Sequence, residues 1–142
     1  MLLNLIFTLF LMFGTSTSQN DGHEFTLTVN NISNSNGVIR ILLFQGPEGF
    51  PDQPSLALQN ASIKIVNNAA IYTFKNLPEG TYAISLFHDS QNTGKLRTNA
   101  FGIPKDGYGF SNNAAGIFGA PSFENASFKL TKDVKHINIK LR

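Results

Sequence analysis

Glu24-Phe25-Thr26-Leu27-Thr28-Val29-Asn30 alternates polar and apolar residues with a period of two. Successive side chains of a strand point to opposite faces, so Phe25, Leu27 and Val29 face a core while Glu24, Thr26, Thr28 and Asn30 stay wet. The same period recurs outward from this stretch. Tyr72 and Phe74 share one face, Tyr82, Ile84 and Leu86 another, and Ile63 and Ile65 flank Lys64. Near the end, Ala126, Phe128 and Leu130, and then Ile137, Ile139 and Leu141, repeat the pattern. Val38–Phe44 (VIRILLF) is almost continuously apolar, as in a central strand or one covered on both faces. The segments between are turn formers: Ser33-Asn34-Ser35-Asn36-Gly37, Asn67-Asn68 and Asn76-Leu77-Pro78-Glu79-Gly80. Gln45–Gln53 reads as a loop and Ser55–Gln59 fits a short helical turn. Strands spaced this way, about seven of them with no amphipathic helix, predict an all-β antiparallel β-sandwich of immunoglobulin-like or transthyretin-like type.

The chain has 142 residues, enough for one domain with its own core. With no Trp, the core must be filled by Phe, and ten of the 13 Phe lie beyond residue 13. The absence of Cys excludes disulfides, thiolate zinc sites and cysteine nucleophiles. A net charge of +2, from 11 basic and 9 acidic residues, is too small and too mixed for a nucleic-acid-binding surface.

Leu2–Phe13 (LLNLIFTLFLMF) is an apolar stretch of signal-peptide length, too short to span a bilayer, and small residues follow it from Gly14 to Ser18. Cleavage is expected after Ser16 or Ser18, which makes residues 1–18 a signal peptide and 19–142 the mature domain. The competing readings are a buried N-terminal strand or a membrane anchor. No later segment is apolar over a spanning length, so the expected product is exported, periplasmic or secreted, without a transmembrane segment. Export without cysteine fits a bacterial envelope protein.

The 89–123 segment breaks the strand rhythm. It holds six of the 12 Gly together with Phe101, Tyr108, Phe110 and Phe118. Long connections of this kind are usually functional or mobile. Within it, aromatic faces stand beside hydroxyl and amide groups at Phe101, Tyr108, Phe110, Ser111, Asn112 and Asn113. That mixture suits an envelope glycan or a protein segment, and the same aromatics would equally cap an open end of the core. Asp89, Gln91, Thr93 and Gly94 have the alternating oxygens and closing Gly of a calcium loop, but only Asp89 is a carboxylate, and Arg97 and Ala100 stand where further ligands belong. No other cofactor is indicated. His88 with Asp89 or Asp106 and Ser111 supplies the residue types of a small hydrolase, although Gly109-Phe110-Ser111-Asn112-Asn113 lacks the second Gly of a nucleophile elbow. The plainer reading of His88 is a structural residue at the end of the strand that carries Tyr82, Ile84 and Leu86, locked by a loop carbonyl. Lys129, Lys132, Lys135, Lys140 and Arg142 face Asp133 alone. They suit an anionic envelope polymer, or guard an edge strand against pairing with another chain.

Three blocks in order, Leu77-Pro78-Glu79-Gly80-Thr81-Tyr82-Ala83-Ile84 with Phe87-His88-Asp89, then Asn92-Thr93-Gly94-Lys95-Leu96, then Phe101–Asn113 (FGIPKDGYGFSNN), resemble the bacterial domain-of-unknown-function family numbered 2141. The resemblance covers the chain from near Phe25 to near Leu141. It implies an exported β-sandwich and assigns no activity. Members of the family carry more acidic and Asn residues after the His-Asp pair, with an Asp where this chain has Arg97. Gln91, Thr93 and Arg97 therefore tell against a cation site here.

Overall fold

The alternation of Glu24–Asn30 is realised as β1 (His23–Asn30), the middle strand of a three-stranded sheet in the order β4-β1-β8. The structure, a computed structural model, describes residues 22–142. The signal peptide expected over residues 1–18 and its cleavage site lie outside the described residues. β4 is Ala70–Leu77 and β8 is His136–Lys140. The facing sheet has the order β3-β2-β5-β6, from β2 (Val38–Phe44), β3 (Gln59–Lys64), β5 (Gly80–Asp89) and β6 (Tyr108–Phe110). β7 (Phe128–Leu130) pairs with the start of β5, after a single helical turn, α1 (Phe123–Ala126).

The two sheets meet face to face over one core. Phe25, Leu27 and Val29 of β1, Phe74 of β4 and Ile139 of β8 pack against Ile39, Ile41 and Leu43 of β2 and Tyr82, Ile84 and Leu86 of β5. The expected sandwich is thus formed, and the described residues make eight strands rather than about seven. The extra strand is β6, three residues inside the 89–123 segment. Its middle residue is Gly109, and a Cβ there would lie 2.7 Å from Ile139 Cγ2 and push that buried side chain aside. One pairing departs from the antiparallel rule: β8 runs parallel to β1, from Thr26 opposite His136 to Asn30 opposite Lys140. The chain crosses between layers from β7 to reach that position.

Two local expectations also shift. Ala126 ends α1 instead of starting a strand, because the Ser122 side chain caps the turn by accepting from the Asn125 N–H. The helical turn near Ser55 covers only Pro54–Leu56, and Gln59 already belongs to β3.

The outer face of the β2–β5 sheet is covered in part. Ala83, Phe110 and Ala126 form a second buried cluster with Phe50, Tyr108, Ala114 and Phe123 against it. This third layer explains why β5 is buried from Tyr82 through Leu86 without alternation. On one side the two sheets are stitched together: Tyr108 and Arg142 exchange both backbone hydrogen bonds, at 3.2 and 3.0 Å. Among the described residues no helix is long and apolar enough to cross a membrane.

Candidate functional site

β2 and β5 lie antiparallel with Val38 opposite Asp89 and Arg40 opposite Phe87. Arg40 and Asp89 are therefore diagonal neighbours on the outer face. Arg40 Nε donates to Asp89 Oδ2 at 2.7 Å, and its Nη1 donates to Ser62 Oγ on β3 at 3.1 Å. One guanidinium thus spans three strands. The chain after Asp89 folds back so that the N–H groups of Thr93 and Gly94 also donate to its carboxylate, at 2.9 and 2.8 Å. Gly94, at φ +78°, supplies the left-handed residue this turn needs. Burial pushes the Asp89 carboxyl up, but the Arg40 bond, the two N–H groups and the charge of Arg40 outweigh it and hold it below its ordinary value.

A second pair lies beyond. Arg97 and Asp106 close a hairpin whose strands touch at Thr98 and Pro104. The Arg97 side chain grips the Asp106 carboxylate through Nε and Nη2, and the Arg97 backbone N–H adds a bond of 3.0 Å. The Arg97 side-chain bonds lower the Asp106 pKa against the opposing effect of burial, and the same bonds raise that of Arg97. Phe101 and Ile103 sit at the tip of this hairpin, 89% and 59% exposed.

These contacts decide what the sequence candidates can do. Asp89 already holds a guanidinium and two backbone N–H groups, and Thr93 Oγ1 donates to the Lys95 carbonyl at 3.1 Å. Gln91 is exposed. Among the described residues no cluster of three His, Cys, Asp or Glu is present that would hold a metal. The residues do not fit a divalent cation, since Arg40 supplies the positive charge such a loop would take from the metal.

His88 and Ser111 are not brought together. His88 is buried, and its Nε2–H donates to the Asn36 carbonyl at 2.7 Å, the loop-carbonyl lock expected for a structural histidine. Ser111 lies opposite Ile84, four residues along β5, or roughly 13 Å of strand. Its oxygen accepts from the Ile84 N–H at 2.8 Å and its proton goes to the Ala126 carbonyl. The Ser111 side chain thus fills the gap between β6 and β7 on the edge of β5. Asp106, the other acid considered, is engaged by Arg97.

The six residues read as a contact surface are divided by the fold. Phe101 is exposed, Tyr108 is half-buried, and Phe110 and Ser111 are buried. Asn112 and Asn113 are exposed and adopt φ of +59° and +48°. The Asn112 amide donates to the Ser127 carbonyl at 2.6 Å, and Asn113 Oδ1 accepts from the Lys140 N–H at 2.8 Å. Asn31, Asn67, Asn68, Asn76 and Asn92 also occupy left-handed positions, so much of the chain's Asn content serves turns. Every buried side-chain nitrogen and oxygen among the described residues has a partner.

Arg40 and Ile117 are residues the sequence reading passed over; it met Arg97 only as an obstacle to a cation, and Phe118 only as one of the aromatics of the 89–123 segment. Arg40 had a signal: a single charge inside VIRILLF needs a partner on an adjoining strand. Ile117 and Phe118 are 91% and 100% exposed. They stand between Gly116 and Gly119, where the chain doubles back so tightly that a Cβ on Gly116 would lie 2.1 Å from the Gly119 carbonyl oxygen.

Fold and site together define a β-sandwich whose long connection is pinned by two ion pairs and holds apolar side chains out to water. Residues 27–138 match the family described as an uncharacterized protein conserved in bacteria, DUF2141, and the chain belongs to that family. No curated protein and no solved structure matches the chain.

Proposed function

We propose that this protein is an exported module of the bacterial cell envelope that binds rather than catalyses. Its contact surface is made by the apolar side chains that the 97–121 segment presents. The observation that carries this reading is the exposure of Phe101, Ile117 and Phe118, each 89% or more, on loops whose bases are fixed. Large apolar groups held in water by a rigid support favour an intermolecular contact over a place in the core. The groups a hydrolase would use are engaged in structural bonds, which favours binding over catalysis. Support for export comes from Leu2–Phe13 and the small residues after it.

Affinity capture from an envelope extract tests the contact surface. The protein is compared with a folded variant carrying Phe101→Ser, Ile117→Ser and Phe118→Ser. A glycan or protein held by the first and released by the second supports the reading; equal capture by both overturns it and moves the contact to a sheet edge or the basic C-terminal strands. Export is tested separately by cell fractionation, with Leu9→Arg expected to retain the chain in the cytoplasm.

A further inference from the structure

We infer that the Ile117-Phe118 tip and the cationic cleft beside it bind the surface of an anionic lipid bilayer. This inference rests on the contact-surface reading above and names what that surface touches. The tip is convex, and its two side chains have almost no cover from their own chain. Its base is firmly held: Arg142 Nη2 donates to the carbonyls of Asn113 and Ala114 at 2.8 and 3.0 Å, and the Arg142 backbone is bonded to Tyr108.

Next to that base lies an open cleft of about 510 Å³ lined by Asn31, Asn113, Lys140, Leu141 and Arg142. Two cations and two amides line it, with no carboxylate side chain. Asn113 belongs both to the cleft and to the stem of the tip, so the cleft adjoins the base of the tip. The chain from Gly107 to Pro121 contains no charged residue. It can enter a headgroup region without stripping water from an ion, which would otherwise cost several kcal/mol in an apolar setting.

A protein partner would need a preformed pocket for a protruding Ile-Phe pair. A bilayer interface needs none, because lipids rearrange around a wedge and aromatic side chains favour that depth. Lys140 and Arg142 then meet phosphate groups, and each basic residue near an anionic surface adds attraction. Two apolar side chains with two cations give weak, reversible association, not permanent anchoring.

The test is co-sedimentation of the protein, purified from cells producing the full chain, with vesicles of phosphatidylethanolamine and phosphatidylglycerol or of phosphatidylcholine alone. Where Leu2–Phe13 is retained it adds the same background to every variant, so the readout is the difference between variants. Binding should favour the anionic vesicles and weaken as salt is raised. Ile117→Ser with Phe118→Ser should lower the partition coefficient at least about tenfold on both vesicle types. Lys140→Gln should lower it severalfold on the anionic vesicles only. All variants are first shown to be folded by circular dichroism. Equal partition of the parent and the Ile117-Phe118 variant overturns the inference, as does absence of sedimentation with either vesicle. Binding that ignores Phe118 but is removed by soluble dextran sulfate overturns it in favour of an anionic polymer. If vesicles fail while capture from envelope extract still requires Phe118, the lipid falls and the contact surface stands.

Discussion

Ser111 and Ile84 are joined by a hydrogen bond of 2.8 Å from a backbone N–H to a side-chain oxygen, across 27 residues of sequence. The bond sits where β6 stops and β7 has not begun, so the hydroxyl replaces a missing rung of the sheet. Ser111→Ala leaves the Ile84 N–H and the Ala126 carbonyl without their partner in a fully buried site. The expected loss is about 2–3 kcal/mol in urea unfolding, with the denaturant slope unchanged. A loss below about 0.5 kcal/mol, the range of ordinary surface substitutions, would mean that the seam is not held by this hydroxyl.

Arg40 and Asp89 make the corresponding prediction for charge. The Asp89 side chain is 2% exposed and that of Arg40 34%, so the carboxylate has little water to fall back on. Arg40→Leu should cost about 2–4 kcal/mol, since it strands a buried carboxylate. Asp89→Asn, which keeps an oxygen for the Thr93 and Gly94 N–H groups, should cost less. Equal losses for the two variants in matched thermal melts would show that the ion pair is not what holds the end of β5.

Acid should act through the same groups. The pKa values of Asp89 and Asp106 are both lowered in the folded protein, while an unfolded Asp titrates near about 3.9. Their contribution is complete above the unfolded value and is lost as pH falls toward the folded ones. Unfolding free energy measured against pH should therefore drop below about pH 4, with Asp106→Asn giving a shallower slope there. A slope identical to that of the parent protein would remove Asp106 from the account.

Much of this arrangement could be read from the chain, and the reasons for the remainder are physical. β1 is legible because its burial follows the alternation of Phe25, Leu27 and Val29. In β5 the alternation of Tyr82, Ile84 and Leu86 marks the core face, while the burial of Ala83 and Ser85 comes from a covering layer that no local pattern announces. β6 is hidden because Tyr108-Gly109-Phe110 is too short to show a period and becomes a strand by pairing with Ser85–Phe87 of β5, far back in the chain, with Arg142 bonded to its other edge. Ser111 looked like a hydroxyl available for chemistry, since nothing local announces that β6 and β7 abut on one edge of β5. Asp106 reads in the sequence as an orienting acid because its partner, Arg97, lies nine residues away across a hairpin. Asn112 and Asn113 suggested ligand amides, and their left-handed backbone accounts for them instead. The exposure of Ile117 and Phe118 depends on Gly116 and Gly119 folding the chain back, which no hydrophobic period reports.

Calcium offers a direct check on the loop after Asp89. A site with a dissociation constant a hundredfold below the added calcium would stabilise the protein by about 2.7 kcal/mol, a shift of several degrees in melting temperature. Because Arg40 and two N–H groups occupy the Asp89 oxygens, the expected shift at millimolar calcium is below about 1 °C. A larger rise that Asp89→Asn abolishes would show that a cation displaces the guanidinium.

Phe110 and Phe118 separate folding from contact within one segment. Phe110 is 7% exposed and packs 6.0 Å from the Phe50 ring and 6.0 Å from that of Tyr108. Phe110→Ala should therefore cost about 3–4 kcal/mol, as loss of a buried aromatic does. Phe118 is fully exposed, so Phe118→Ser should move stability by no more than about 0.5 kcal/mol. The binding readouts should rank the opposite way: Phe118→Ser should weaken association while the fold stays intact. If Phe118→Ser unfolded the protein as readily as Phe110→Ala, the tip would be packing against its own chain, and the argument that it is free to meet a partner would fail.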